Sequence, residues 1–189
     1  MAARQHDERR RKIVHLAFGC GALALRYLLW WQAAIVAAAA LAFNLFVLPR
    51  VAGQLYRHGE RPQSARSGIV LYPASVLLLI IVFHERLDIA AAAWAILAAG
   101  DGMATLVGRR FGRGGLPWNR EKSVAGTLAF FCCGSLAGIF VAWWCRPNVT
   151  PQPELWFSIA APLLAALVAA LVETMPIELD DNVSVPASA

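Results

Sequence analysis

Long stretches without basic residues constrain the fold of this chain more than any other feature. Between Ile13 and Pro49 the only basic residue is Arg26, which leaves room for two helices of about eighteen residues joined by a tight turn. Four further stretches approach the length that an α-helix needs to cross a bilayer. They are Ser67 to Phe83, Ile89 to Gly108, Ser123 to Cys145 and Leu155 to Val172. The sequence therefore predicts about six transmembrane helices.

The composition supports the same interpretation. Of the 189 residues, 59% are apolar and 15% are charged, and the predicted helices leave too few residues for a separate soluble domain. These values exclude a cytosolic enzyme, a secreted disulfide scaffold and a disordered tail protein. We expect residues 1–189 to form one all-α integral membrane domain, a multi-pass helical bundle in a bacterial inner membrane or an organelle membrane.

The distribution of lysine and arginine predicts the orientation of the bundle. In chain order, the segments outside the predicted helices carry five, one, four, one, five and one basic residues, and none follows the sixth helix. Basic segments resist translocation and stay in the cytoplasm. We therefore place the amino terminus (residues 1–12), the loop 50–66 and the Gly/Arg loop (residues 108–122) on the cytoplasmic side. An acidic tail, residues 176–189, returns to that side.

Asp101 needs an explanation because it follows twelve uncharged residues in the fourth predicted helix. A charge at the centre of a transmembrane helix costs roughly 2.5–3.5 kcal/mol on insertion scales, so an acid there usually has an ion-pair partner or a function. Helical spacing places Asp101, Thr105 and Gly108 on one face. From the residues alone, a structural ion pair, a substrate site and the ion site of a small transporter are all open.

The Gly/Arg loop and the start of the following helix have the composition of an anion-binding site. The sequence GRRFGRGGLPWNREKSVAGT, from Gly108 to Thr127, combines glycines that let backbone amides approach a phosphate with cations and a helix amino terminus. The alternative is a flexible loop whose charges only set the topology. The sequence contains neither a Walker A motif nor a protein kinase signature. The candidate phosphate-binding residues are Gly108, Arg109, Arg110, Gly112, Arg113, Asn119, Lys122, Ser123 and Gly126.

A third polar cluster has the sequence ETMPIELDDNVSVP and spans Glu173 to Pro186. Adjacent carboxylates with a carboxamide suit Mg²⁺, which prefers hard oxygen ligands together with phosphates and water. The candidate residues are Glu173, Asp180, Asp181 and Asn182. A solvated acidic tail is the alternative.

The amino-terminal sequence RRRKIVH places Lys12 and His15 where the first predicted helix enters the membrane. Topology alone explains the basic residues. His15 is either packed at the interface or helps to position a phosphate.

Two of these segments resemble the signatures of a known family. GDGMATLVGRRFGRGGLPWNREKSVAGT, from Gly100 to Thr127, and ETMPIELDDNVSVP resemble the dolichol kinase and phytol kinase family of integral membrane, CTP-dependent lipid-alcohol kinases. RRRKIVH is similar to a weaker amino-terminal signature of that family. The first segment is also similar to one of the phosphatidate cytidylyltransferases, but Asp180, Asp181 and Asn182 match the kinase pattern. Family members usually continue into another hydrophobic helix, so either a seventh helix is missing after the carboxyl terminus or the chain is a minimal member.

The resemblance implies that the γ-phosphoryl group of CTP is transferred to a membrane lipid alcohol of the dolichol, polyprenol, phytol or diacylglycerol class. The products would be a lipid phosphate and CDP, formed at the cytoplasmic face. It implies a catalytic set of Asp101, Lys122, Asp180 and Asp181. It implies a Mg²⁺ site of Asp101, Asp180, Asp181 and Glu173. The resemblance also adds Asn182, Lys12 and His15 to the candidate phosphate-binding residues. The alternatives are a phosphatidate cytidylyltransferase, which makes CDP-lipid and pyrophosphate, and a small membrane transporter. The oligomeric state is open.

Overall fold

The computed structural model describes residues 15–51, 68–176 and 181–189, except for the side chains of Val51, Asp181 and Val183. Within these ranges every regular element is a helix, so the prediction of an all-helical bundle is confirmed. The first element, α1, covers residues 15–26 and ends in the 3₁₀ helix Cys20–Arg26. The others are α2 (Trp30–Arg50), α3 (Gly68–Val82), α4 (Leu87–Phe111), α5 (Val124–Asn148), α6 (Leu155–Thr174) and α7 (Asp181–Ser188).

Four of these helices are long and apolar enough to cross a membrane. They are α2, α4, α5 and α6, with 20 to 25 residues each, whereas the apolar helix α3 has 15. Each lies where an apolar stretch predicts a helix, because an apolar segment in lipid must satisfy its backbone hydrogen bonds internally. Two statements remain predictions: that the chain crosses the membrane six times, and that its amino terminus lies in the cytoplasm.

Helix α4 lies at the centre of the bundle. In its most apolar stretch 67% of the residues are buried, compared with 11% to 33% in α2, α5 and α6. Small residues explain its contact with α5. A β-carbon added to Gly100 would lie 2.9 Å from the Phe130 ring, and one added to Gly108 would lie 3.4 Å from the Gly126 Cα. Such residues let the backbones of neighbouring helices approach closely in lipid.

Helix α1 runs antiparallel to α4 and is also in close contact with it. Gly19 lies against Ala98, and a β-carbon added to Gly21 would be 2.8 Å from the Trp94 indole. At the other end of this contact Gly102 lies against the side chain of Leu16. The order of these contacts brings His15, the first described residue of α1, to the level of Asp101.

Part of the predicted acidic tail forms the short helix α7, which packs into the bundle. Val185 is fully buried, in a cluster with Ile96 and Leu97 of α4 and Ala166 of α6. Helix α7 also contacts α3 and the π-helical turn Leu97–Asp101 of α4. Burial of apolar surface therefore holds this segment beside the helix that carries Asp101.

Candidate active site

Asp101 lies inside the bundle, close to a second titratable group. Asp101 is 3% exposed and lies at the end of the π-helical turn Leu97–Asp101. The Oδ2 atom is 3.6 Å from Nε2 of His15, a separation that makes an ion pair when the imidazole is protonated. Short π-helical turns often occur at functional sites. The structure thus brings together two predicted site residues that are 86 positions apart in the sequence.

Sequence reasoning missed two residues beside this pair, one that packs on His15 and one that is hydrogen-bonded to the first. The ring of Tyr72 lies 4.3 Å from the imidazole of His15, centroid to centroid. The indole N–H of Trp94 donates a hydrogen bond of 2.7 Å to the Tyr72 hydroxyl oxygen. Aromatic residues in an apolar helix carry no sequence signal that separates packing from function. The contact with His15 identifies Tyr72 as part of the site, and Trp94 joins it through its hydrogen bond to Tyr72.

Four residues predicted to bind phosphate converge where α4 ends and α5 begins. Ser123 caps α5, and its Oγ accepts a hydrogen bond of 3.2 Å from the Gly126 amide. A β-carbon added to Gly108 would lie 3.1 Å from that Oγ, and one added to Gly112 would lie 2.7 Å from it. The glycines therefore allow a tight turn around Ser123. The turn exposes the amino terminus of α5, where backbone amides and the helix dipole favour an anion.

This turn is close to Asp101 along α4. A β-carbon added to Gly126 would be 3.0 Å from the carbonyl oxygen of Ala104, which follows Asp101 by three residues. Three residues correspond to less than one helical turn. The start of α5 and the Asp101 carboxylate are therefore at the same end of the bundle.

The Gly/Arg loop is held by hydrogen bonds rather than lying loose. The Leu116 amide donates to the Lys122 carbonyl at 2.8 Å, and Leu116 itself is buried. The Asn119 side-chain amide donates to the Thr174 carbonyl at 3.3 Å, and Lys122 Nζ donates to Glu173 Oε1 at 2.8 Å. These two contacts fix the loop to the end of α6. They join the first signature segment to the beginning of the second.

Three predicted phosphate-binding arginines, Arg109, Arg110 and Arg113, are exposed at this end of the molecule. The guanidinium of Arg110 lies 5.6 Å from the centroid of the Phe111 ring. Exposed guanidinium groups beside a helix amino terminus can form bidentate hydrogen bonds with phosphate oxygens.

The second signature is described only in part. Glu173 and Thr174 are buried at the end of α6, and Asn182 lies in the first turn of α7. The Ser75 hydroxyl of α3 donates a hydrogen bond to the main-chain carbonyl of Asn182. Three of the predicted site groups lie outside the part of the chain that the structure describes: Lys12, Asp180 and the side chain of Asp181. Among the groups that the structure does describe, no three His, Cys, Asp or Glu side chains are close enough to hold a metal ion.

The opposite end of α4 carries a separate polar pair. Arg86 donates two hydrogen bonds of 2.9 Å to the buried carboxylate of Asp88. This bidentate hydrogen bond raises the pKa of Arg86 above its usual value. The helical rise places Asp88 about 20 Å along α4 from Asp101. The pair neutralises a buried charge away from the candidate site.

Comparison with known proteins gives this arrangement a context. The chain is 31% identical over 195 residues to probable phytol kinase 2, chloroplastic, of Oryza sativa subsp. japonica, and 30% identical over 194 residues to the chloroplastic farnesol kinase of Arabidopsis thaliana. Each of these matches covers 93% of the chain. The chain is therefore homologous to the phytol kinase and farnesol kinase family. No family model matches it, and no solved structure is significantly similar to it.

The likeness to this family includes the candidate site. A match over 93% of the chain leaves about 13 of its 189 residues outside, so it must include the segment from Gly100 to Thr127 and Glu173. Probable phytol kinase 3, chloroplastic, of Glycine max is 39% identical over 121 residues, which is 63% of the chain. The chain spans 38%, 62% and 61% of the lengths of the soybean, rice and Arabidopsis relatives. The resemblance predicted from the signature segments is confirmed.

Proposed function

We propose that this chain transfers the γ-phosphoryl group of a nucleoside triphosphate, with CTP as the donor, to the hydroxyl group of a membrane-embedded prenyl alcohol. The phytol and farnesol kinases named above support a prenyl alcohol as acceptor. The observation that carries the proposal is the ion pair between Lys122 and Glu173, which joins the Gly/Arg loop to the second signature at the end of the bundle that contains Asp101.

The triphosphate binds, in this proposal, at the turn formed by Gly108, Gly112 and Ser123. Backbone amides at the start of α5 point toward phosphate oxygens, and the side chains of Arg109, Arg110 and Arg113 contact the same oxygens from the loop. Lys122 lies beside them and stabilises the negative charge of the transferred group. Phosphoryl transfer depends mostly on such positioning and charge stabilisation, because few groups take part in covalent chemistry.

Carboxylates of the signature segments have the chemistry to bind a divalent cation, which we propose to be Mg²⁺. Asp101 and Glu173 supply buried carboxylate oxygens at this end, and α7, which begins at Asp181, contacts the π-helical turn of α4. Hard oxygen ligands from a few carboxylates, completed by phosphates and water, are the set that Mg²⁺ prefers. When bound, the cation would neutralise charge on the triphosphate. Asp180 and Asp181 complete the proposed ligands.

The alcohol reaches this site from the bilayer. Its hydroxyl oxygen forms a bond to the γ-phosphorus, the bond between that phosphorus and the β-γ bridging oxygen breaks, and CDP leaves with that oxygen. The hydroxyl proton passes to a nearby base, and Asp101 with His15 beside it is the group we assign to this role or to cation binding. Buried helices around the site exclude water, which would otherwise compete as acceptor.

The same proposal treats residues 1–189 as a single membrane-embedded unit with its active site at the cytoplasmic face. The amino terminus (1–12), the Gly/Arg loop (108–122) and residues 176–189 belong to that face. The basic charge of the first two supports this assignment.

The test is a purified-protein assay in lipid nanodiscs with Mg²⁺. CTP, ATP, GTP and UTP are each combined with phytol, farnesol, a polyprenol, dolichol or diacylglycerol, and products are resolved by mass. We expect a lipid monophosphate and CDP, formed fastest from a prenyl alcohol. Substituting Arg110 and Arg113 together by alanine should raise the KM for CTP about tenfold or more, because two charged hydrogen bonds to phosphate are lost.

Other products would contradict the proposal in distinct ways. CDP-lipid and pyrophosphate formed from phosphatidate would identify a cytidylyltransferase. Failure to form any lipid product, together with ion flux in liposomes that needs Asp101 but not the Gly/Arg loop, would identify a transporter.

A further inference from the structure

Helix α3 belongs to none of the signature segments, yet two of its side chains contact two of them. Tyr72 and Ser75 are three residues apart, so they lie on one face of the helix. Tyr72 contacts His15 of the amino-terminal segment, and Ser75 contacts Asn182 of the acidic segment. Both segments approach Asp101, one through His15 and the other through the packing of α7 on α4.

Pro186 explains why α7 needs a hydrogen bond from α3. In an α-helix the carbonyl of residue 182 accepts from the amide of residue 186. Residue 186 is proline, which has no amide hydrogen, so α7 cannot satisfy the Asn182 carbonyl in this way. The Ser75 hydroxyl, in a residue that is 8% exposed, donates to that carbonyl instead. An unsatisfied carbonyl in this partly buried setting would be destabilising.

Tyr72 is likewise held by a hydrogen bond, which it accepts from a residue of α4. Its hydroxyl oxygen is held by the Trp94 indole, seven residues and about two helical turns before Asp101. The Trp94 ring is itself packed against Gly21 of α1. The face of Tyr72 that meets His15 therefore has a fixed position relative to α4.

We propose that α3 is the positioning element of the active site, with Ser75 holding the start of α7 and Tyr72 holding the His15 imidazole against Asp101. Neither side chain touches a reacting atom. Ser75 acts through the main chain at Asn182, next to the carboxylate-bearing Asp180 and Asp181, and so sets where these groups meet the cation and triphosphate. This proposal rests on the proposed function, but the link between Ser75 and Pro186 is testable without activity.

The decisive experiment is a double-mutant cycle between Ser75 and Pro186. Ser75→Ala removes the donor, whereas Pro186→Ala restores an amide that can bond to the Asn182 carbonyl within α7. Binding of radiolabelled CTP with Mg²⁺ and thermal unfolding in mild detergent are measured for the wild type, both single variants and the double variant. We expect Ser75→Ala to weaken CTP binding about fivefold to tenfold and lower the Tm. The double variant should recover most of both losses, and Ser75→Thr, which keeps a hydroxyl, should bind like the wild type.

Ser158→Ala is the matched control. Ser158 is also a buried helical serine, but no hydrogen-bond partner is found for its hydroxyl among the described residues. We expect no change in CTP binding. In turnover assays Ser75→Ala and Tyr72→Phe should lower kcat and raise the Mg²⁺ concentration at half-maximal rate, with the KM for the alcohol unchanged. Tyr27→Phe, at an exposed tyrosine, should alter none of these values.

Strictly additive effects of Ser75→Ala and Pro186→Ala on Tm would overturn the link between the two residues. The double variant could recover the Tm while Ser75→Ala needs no more Mg²⁺ than the wild type. That pair of results would overturn the positioning role of Ser75. A wild-type protein that binds no nucleotide would count against the proposed function, while the Tm cycle would still decide whether Ser75 holds α7.

Discussion

Lys122 Nζ and Glu173 Oε1 are 2.8 Å apart, and this ion pair joins two segments separated by 51 positions. The glutamate side chain is 6% exposed and the lysine side chain 28%. A buried carboxylate is costly unless a cation or hydrogen-bond donor compensates it. Lys122 therefore stabilises Glu173, and the contact fixes the Gly/Arg loop over the end of α6.

Breaking this ion pair should destabilise the fold in a way that depends on both partners. We expect Glu173→Gln to lower the free energy of unfolding by about 1–2 kcal/mol, because the partly exposed lysine loses a charged hydrogen bond. The double variant Lys122→Met with Glu173→Gln should lose less than the sum of the two single variants. Thermal unfolding in mild detergent measures the coupling, and Glu121→Gln, at an exposed neighbour, is the matched control. Additive losses would show that the contact contributes nothing.

The two aspartates of α4 should respond differently to the same substitution. Asp101→Asn should lower alcohol phosphorylation by about 10²- to 10³-fold, because it removes a charge aligned with the reacting groups, while the Tm changes little. Asp88→Asn breaks the pair with Arg86 at the other end of the helix. It should lower the Tm and leave the kcat of the folded fraction near the wild-type value. Initial rates normalised to folded protein distinguish the two outcomes. Equal kcat values for Asp101→Asn and the wild type would refute the role of Asp101.

The glycines around Ser123 should not tolerate a methyl group. A β-carbon at Gly112 would overlap the Gly108 carbonyl and press on Ser123, so we expect Gly112→Ala to cost about 1–3 kcal/mol of stability and to weaken CTP binding. Gly134→Ala is the control, because the nearest atom to its added β-carbon is 3.6 Å away. That variant should unfold near the wild-type temperature. Comparable Tm and affinity for both variants would contradict the tight turn at Gly112.

Accessibility labelling tests the proposed membrane orientation. In a variant whose four native cysteines are replaced by serine or alanine, Arg113→Cys and Met175→Cys introduce exposed thiols at the two ends of the candidate site. Both should react with an impermeant maleimide from the cytoplasmic side only. Thr150→Cys, in the exposed connection between α5 and α6, should react from the other side. Labelling of positions 113 and 175 from opposite sides would contradict an active site shared by the two segments.

Short-range features of the sequence predicted the helices and one local contact of the candidate site. Apolar stretches without basic residues mark the positions of α2 to α6, because a helix in lipid satisfies its own backbone whatever surrounds it. The cap at Ser123 was also predictable, since a serine before an apolar run accepts from an amide three residues later. The family resemblance depended on such contiguous segments.

Contacts between distant residues were not predictable. The hydrogen bond from Ser75 to Asn182 spans 107 positions, and neither a serine in an apolar helix nor a proline in an acidic segment indicates the other. The sequence also does not distinguish Tyr72 and Trp94 from ordinary packing residues, because their contacts are with residues far away in the chain. Helix α7 was missed because its stability comes from burying Val185 against α4 and α6 rather than from its own composition.

The sequence by itself determined that the chain forms apolar helices and carries clusters of glycine, arginine and carboxylate residues, because these properties depend on local composition and spacing. The tertiary structure decided which clusters meet: it brought Lys122 to Glu173, His15 to Asp101 and Ser75 to the start of α7. These contacts depend on how closely the helices pack. The packing distance is set by glycines whose neighbours lie on other helices.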